Sequence, residues 1–260
     1  MANTATDLGR DAAGAVVVCG SHGGSYPGCL LARAGVRGGI LNDAGSGKGR
    51  AGCDSLSVLD RLGIPAAVAD HQSARIGDAA DMLRRGIVSA TNEAAKALGC
   101  SVGDHVKYCA DRMTAAEVRA VAAPDCEERR VLVETRNDVK VWALDSASQV
   151  RADDEGAILS TGSHGGLVGG MPAAALKTRG LLAIFNDAGV GADCAGIGRL
   201  AVLGRRHIAA ATVDASSARI GDGLSTYHDG IISFVNGPAE LLGGRPGLTT
   251  RELIAIFLGL

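Results

Sequence analysis

Short apolar runs alternate with longer stretches of helical periodicity along the whole 260-residue chain. Ala15–Cys19, Gly39–Leu41 and Ala66–Ala69 read as strands, and so do Ala157–Thr161, Leu181–Phe185 and Ala209–Val213. Each is short, aliphatic and followed by Gly, Asn or Asp, the pattern of strands in βαβ units of a parallel sheet. Asp81–Leu98 predicts a long amphipathic helix stopped by Gly99, and Ser225–Leu242 predicts a counterpart kinked at Gly237-Pro238. Val58–Leu62 before Gly63 and Arg199–Leu203 before Gly204 predict shorter helices. In between, Thr114–Ala122 predicts a polar helix, and Arg130–Thr135 and Val139–Leu144 predict two strands. Thr250–Leu258 predicts a C-terminal helix opened by a Thr cap.

The pattern also repeats. Gly20-Ser21-His22-Gly23-Gly24 recurs as Gly162-Ser163-His164-Gly165-Gly166, Asn42-Asp43-Ala44-Gly45 as Asn186-Asp187-Ala188-Gly189, and Ser73-Ala74-Arg75-Ile76-Gly77-Asp78 as Ser217-Ala218-Arg219-Ile220-Gly221-Asp222. The last two pairs share an offset of 144 positions and the first an offset of 142. Three motifs in the same order, two of them in one register, indicate an internal duplication. The expected fold is therefore α/β, internally duplicated, with two pseudo-symmetric Rossmann-like βαβ halves and mostly parallel sheet. Residues 1–103 form the first repeat, 104–155 a connector whose strands join the second half, and 156–260 the second repeat.

Every repeated motif follows a predicted strand, which places all of them on the carboxyl edge of a parallel sheet, where ligands bind. Within GSHGG, the glycines allow a sharp bend with bare N–H groups, and Ser and His are suited to acid–base work. His164 and His22 are candidate general bases, and Ser163, Ser21 and Cys194 candidate nucleophiles or polar anchors. Asp187 and Asp43 are suited to orienting the imidazoles. Asn186, Asn42, Gly165 and Gly23 are candidate oxyanion donors, and Arg219 and Arg75 candidate carboxylate clamps. Asp222 and Asp78 complete the substrate-binding set. Against each stands a scaffold reading: an Asx turn for Asn-Asp-Ala-Gly, an Arg–Asp pair for Ser-Ala-Arg-Ile-Gly-Asp, a small buried thiol for Cys194.

Composition narrows the function. Charged residues make up 21% of the chain, the formal charge is −2 and no basic block occurs, which disfavours nucleic acid as a partner. Aromatics are only 3%, leaving little for stacking flat cofactors. No apolar run reaches the roughly 18 residues of a membrane span, and the first ten residues carry no signal-peptide core. Seven cysteines without a CxxC pair suggest neither a disulfide framework nor a zinc ribbon, and with them a reducing, cytoplasmic setting. Gly45-Ser46-Gly47-Lys48-Gly49 lacks the leading Gly and the Ser/Thr of a phosphate-binding P-loop. An apolar duplicated core is compatible with a homo-oligomer.

Ala157–Gly166, an apolar strand ending in His-Gly, resembles the first catalytic block of caspase-type cysteine peptidases. The next strand, Leu181–Phe185, ends in Asn186-Asp187-Ala188 where that family carries its cysteine, so no activity carries over. The expected function is hydrolysis of a small amide, cyclic imide or related carbonyl or carboxylate compound without a cofactor. One alternative is a divalent-metal-dependent lyase or hydrolase using His22, His164, Asp43 and Asp187. The other is a non-catalytic small-ligand-binding module.

Overall fold

The computed structural model describes residues 1–119, 122 and 124–260. It is an α/β protein with two mixed, mostly parallel sheets, consistent with a Rossmann-like architecture. The first sheet has the order β1 (Val16–His22), β2 (Gly38–Asn42), β3 (Ala66–Ala69), β4 (Val88–Thr91). The first three strands are parallel and β4 is antiparallel to β3. The second sheet runs β10 (Ile232–Val235), β9 (Ala209–Val213), β8 (Leu182–Asn186), β7 (Ile158–His164), β6 (Val139–Leu144), β5 (Arg130–Arg136). There, β6 to β9 are parallel, and β5 and β10 are antiparallel edges.

Strands β2, β8 and β9 are buried along their whole length, which is why they read as unbroken aliphatic runs. Helices α1 (Ser25–Arg33) and α2 (Asp54–Asp60) pack Leu31 and Leu59 with Val17, Leu41 and Val68 of the first sheet. On the other face, α3 (Ala79–Arg85) and α5 (Val106–Met113) pack Met82, Val106 and Met113 with Val18 and Ile40. In the second half α6 (Gly198–Arg205) covers one face through Leu200 and Leu203. There, α7 (Gly223–Asp229) and α9 (Thr250–Phe257) cover the other through Tyr227, Leu253 and Ile254.

The two long helices predicted over 81–98 and 225–242 do not form. Each is split: α3, β4 and α4 (Glu93–Ala97) in the first half, and α7, β10 and α8 (Gly237–Leu241) in the second. Gly86 and Gly230 end the first helix of each set in extended backbone, and Asn92 and Asn236 cap the next one with their side chains. The segments between, Val88 to Thr91 and Ile232 to Val235, each β-branched at both ends, pair with the preceding strand instead. The helix predicted over 114–122 is also absent across 114–119, its remainder reaching residues outside those described; the helix actually present is α5, just upstream.

One disulfide is present, against the expectation from the scattered cysteines. Cys29 on α1 bonds Cys126, 97 residues later in the connector, with Cα atoms 6.4 Å apart. The chain returns over α1 after leaving the first sheet, a proximity that local spacing does not encode. No helix among the described residues is long and apolar enough to cross a membrane.

Candidate active site

The motif residues are placed by the strand ends. In β1 the pairing with β2 shifts between Val18 and His22, and in β7 the pairing with β8 shifts between Ser160 and His164. This irregularity falls on Gly20-Ser21 and Gly162-Ser163 and re-aims the following histidine. Each imidazole then turns back on its own loop. Gly24 donates its N–H to His22 Nδ1 at 3.1 Å, and Gly166 donates to His164 Nδ1 at 3.2 Å. Glycine is required at both places, because a Cβ on Gly24 would sit 2.6 Å from His22 Cε1 and one on Gly166 would sit 3.0 Å from His164 Nδ1.

An accepting Nδ1 means that the neutral ring carries its proton on Nε2. Both rings are held neutral. Burial lowers the His22 pKa to about 4. Burial, the Arg199 guanidinium and His22 together hold His164 well below its ordinary value. Both histidines line one cavity of about 580 Å³ between the halves, with Ser21 and Ser163 beside them.

The serines already hold backbone. Ser21 Oγ accepts from Ala5 N and Ser163 Oγ accepts from Ala147 N, both at 2.9 Å. Arg219 and Asp222 also reach the cavity, but each is paired: Arg219 with Asp54 at 2.8 Å, and Asp222 with Arg129 at 2.9 Å while it caps α7. Arg75 is tied to Asp81 and Asp78, both at 3.2 Å, and Asp78 caps α3; neither lines the cavity.

The Asn-Asp-Ala-Gly segments lie behind it and serve as joints. Asn42 and Asn186 are fully buried; their side chains donate to Ala74 O and Ala218 O and accept from Ala44 N and Ala188 N. Gly23 and Gly165 donate to Asn42 O and Asn186 O. Asp187 accepts from the N–H groups of Gly189 and Ala215, and burial raises its pKa. The two loops meet at Gly45 and Gly189, where a Cβ on Gly45 would lie 3.0 Å from Gly189 Cα. Reciprocal bonds flank that contact: Lys48 N to Ala215 O at 2.8 Å and Ala192 N to His71 O at 2.7 Å. Cys194 is exposed at this junction, not in the cavity lining.

A second polar group stands at the junction. Asp43, Asp70 and His71 bring three ligand-type atoms within 4.8 Å of one another, a potential catalytic or metal site. His71 Nδ1 lies 2.9 Å from Asp43 Oδ1 and 3.3 Å from Asp70 Oδ1. The hydrogen bond that His71 gives to Asp43 raises the His71 pKa against the effect of burial. Burial pushes Asp43 upward, yet bonds from His71 and Ser89 leave it below the ordinary carboxylate value. Of the set expected to bind metal, Asp43 belongs to this group; its partners are Asp70 and His71 in place of His22, His164 and Asp187.

Two cavity residues escaped sequence reasoning. Arg199, at the start of α6, is 5% exposed, and its Nε and Nη1 donate to Gly166 O at 3.0 Å and Ala175 O at 2.6 Å. Glu128 lines the far side, where burial and the charge of Asp145 outweigh the bond from Ser146 and raise its pKa to about 7. Neither lies in a repeated motif. The one available signal was the mismatch of Arg199 with Ser55, its counterpart 144 positions earlier. Comparison with protein-family models, curated proteins and solved structures returns no match.

Proposed function

We propose that the chain is an enzyme of the lyase or hydrolase type that binds a small carbonyl-bearing molecule in the cavity between its halves. The observation that carries this reading is the convergence of His22 and His164 on one cavity, each with Nδ1 occupied by a backbone N–H. Two neutral imidazoles presenting Nε2–H can polarise a substrate carbonyl without the cost of a buried positive charge. Glu128, titrating at about 7, is suited to taking up and returning a proton. Acid–base chemistry on His and carboxylate groups is better supported than attack by a side-chain nucleophile. Ser21 and Ser163 accept backbone N–H groups and have no imidazole Nδ1 or Nε2 as a bonded partner, and Cys194 does not line the cavity.

The test is turnover across a panel of small amides, cyclic imides and hydroxy or oxo acids. His22→Gln and His164→Gln should each lower kcat by about 10²- to 10⁴-fold, while Ser163→Ala keeps most of it. Full turnover in both histidine variants, or loss in Ser163→Ala alone, would refute this reading.

A second reading follows from the junction: a divalent cation held by Asp43, Asp70 and His71. The cation would replace the proton on His71 Nδ1, and this oxygen-rich set with one imidazole suits a borderline or hard ion. Elemental analysis of the purified protein and of Asp70→Asn decides it; a stoichiometric metal lost in that variant supports it, and a metal-free active protein removes it.

The paired architecture supports an internal duplication with wider limits than the motifs suggest. Asn3 Oδ1 accepts from Ala79 N at 3.1 Å, as Asp145 Oδ1 accepts from Gly223 N at 3.0 Å. Helix α5 stands 144 positions before α9, each following a bridge to the strand edge, Ile87 to His105 and Ile231 to Thr249. We read the repeats as about residues 2–113 and 144–257, with 114–143 between them. The Cys29–Cys126 bond suits an oxidising compartment better than the cytoplasm.

A further inference from the structure

Arg199 and Ser55 occupy equivalent stations: Arg199 N donates to Gly165 O at 2.7 Å, and Ser55 N donates to Gly23 O at 2.8 Å. Only the second half places a cation there. That cation is enclosed, and no carboxylate of the described residues lies within 4.0 Å of it. Two carbonyl oxygens accept from Nε and Nη1, and the guanidinium carbon lies 5.0 Å from the Phe185 ring centroid, while among the described residues Nη2 makes no hydrogen bond. A buried charge without a counter-charge is costly, and such an arrangement persists where a ligand supplies the missing charge.

The cavity limits what that ligand is. Arg219 is neutralised by Asp54 and Arg129 by Asp145 and Asp222, and the two imidazoles are neutral donors. Lys177 lines the wall but gives its ammonium to Ser148 O at 2.5 Å. Glu128 adds negative character. One unpaired guanidinium beside neutral N–H donors matches a single negative charge with two oxygens, and the surrounding carboxylates oppose a dianion. We propose that Arg199 is the anchor for a monocarboxylate substrate, bound once per chain, with its guanidinium edge on the carboxylate and His164 next to it. The assignment rests on the cavity's being the active site and adds the class of molecule it takes.

Binding of acetate, lactate and inorganic phosphate, measured by calorimetry and by thermal shift on the full chain, tests it. Acetate and lactate should bind saturably at one site, and more tightly than phosphate. Arg199→Lys should weaken lactate roughly 10- to 100-fold, whereas Ser55→Ala should leave it unchanged. Equal lactate affinity in Arg199→Lys, or phosphate binding tighter than either carboxylate, overturns the assignment. Should that variant not fold, the guanidinium ¹⁵N resonances of the wild-type protein provide the readout. Lactate must shift those of Arg199, and an unmoved Arg199 signal at saturation overturns the proposal. Arg199-dependent binding with turnover indifferent to both histidines would keep the anchor and remove the histidine chemistry. Histidine-dependent turnover with lactate affinity indifferent to Arg199 would do the reverse.

Discussion

Ser55 and Gly28 pack so closely that a Cβ on Gly28 would lie 2.9 Å from Ser55 Cβ. This contact seals α1 against α2 and leaves Ser55 Oγ buried with no hydrogen-bond partner. An unpaired buried hydroxyl has lost its water without compensation. Ser55→Ala should therefore stabilise the protein by about 1 kcal/mol, read from the denaturant midpoint. A loss of similar size would mean that the hydroxyl has a partner.

His22 makes stability depend on acid. Its folded pKa, about 4, lies below the ordinary 6.5, so the unfolded chain binds the extra proton first. The contribution of the neutral ring is fully present above about 6.5 and fades as pH falls towards 4, on the order of 3 kcal/mol in all. Chemical denaturation across that range should show His22→Gln with a flatter pH dependence than wild type. Parallel curves would place the His22 pKa near its free value.

The glycine two residues after each of these histidines is a steric requirement. Gly24→Ala drives a methyl group into the His22 ring and should cost about 1–3 kcal/mol. Gly204→Ala is the control: a Cβ there would meet only ordinary contacts, the nearest being Asn236 Nδ2 at 3.7 Å, and inside α6 the change should be neutral or slightly stabilising. Equal effects of the two substitutions would show that the ring is free to move away.

The Cys29–Cys126 bond closes a loop of 97 residues and ties the segment bearing Glu128 to α1. Cys126→Ser should lower stability by about 2–5 kcal/mol, and a reductant should lower the wild type to the same level without affecting the variant. A reductant effect that persists in Cys126→Ser would point to another thiol.

Much of this architecture was legible in the chain. The aliphatic runs marked the parallel strands because those strands are buried on both faces, and Thr249 marked the start of α9 through its bond from Glu252 N. The stretches 81–98 and 225–242 misled because helix, strand and helix follow one another with apolar residues at spacings a single helix also satisfies. Only Gly86 with Asn92, and Gly230 with Asn236, betray the breaks. For the site, repetition pointed equally to residues that line the cavity and residues that hold the loops. His22 and His164 belong to the first kind, Asn42 and Asn186 to the second. Arg199 and Glu128 were invisible because what sets them apart is enclosure and the absence or presence of a neighbouring charge, properties of the folded state.

On the proposed function, His22 and His164 share one ligand as neutral Nε2–H donors. Imidazole ¹⁵N spectra of the wild-type protein at neutral pH, recorded with and without lactate, test it most directly. Both rings should show a bare Nδ1 and a protonated Nε2, and both Nε2–H signals should move together along one binding isotherm. Charged rings, Nδ1–H tautomers, or a shift at only one histidine or at neither would contradict it.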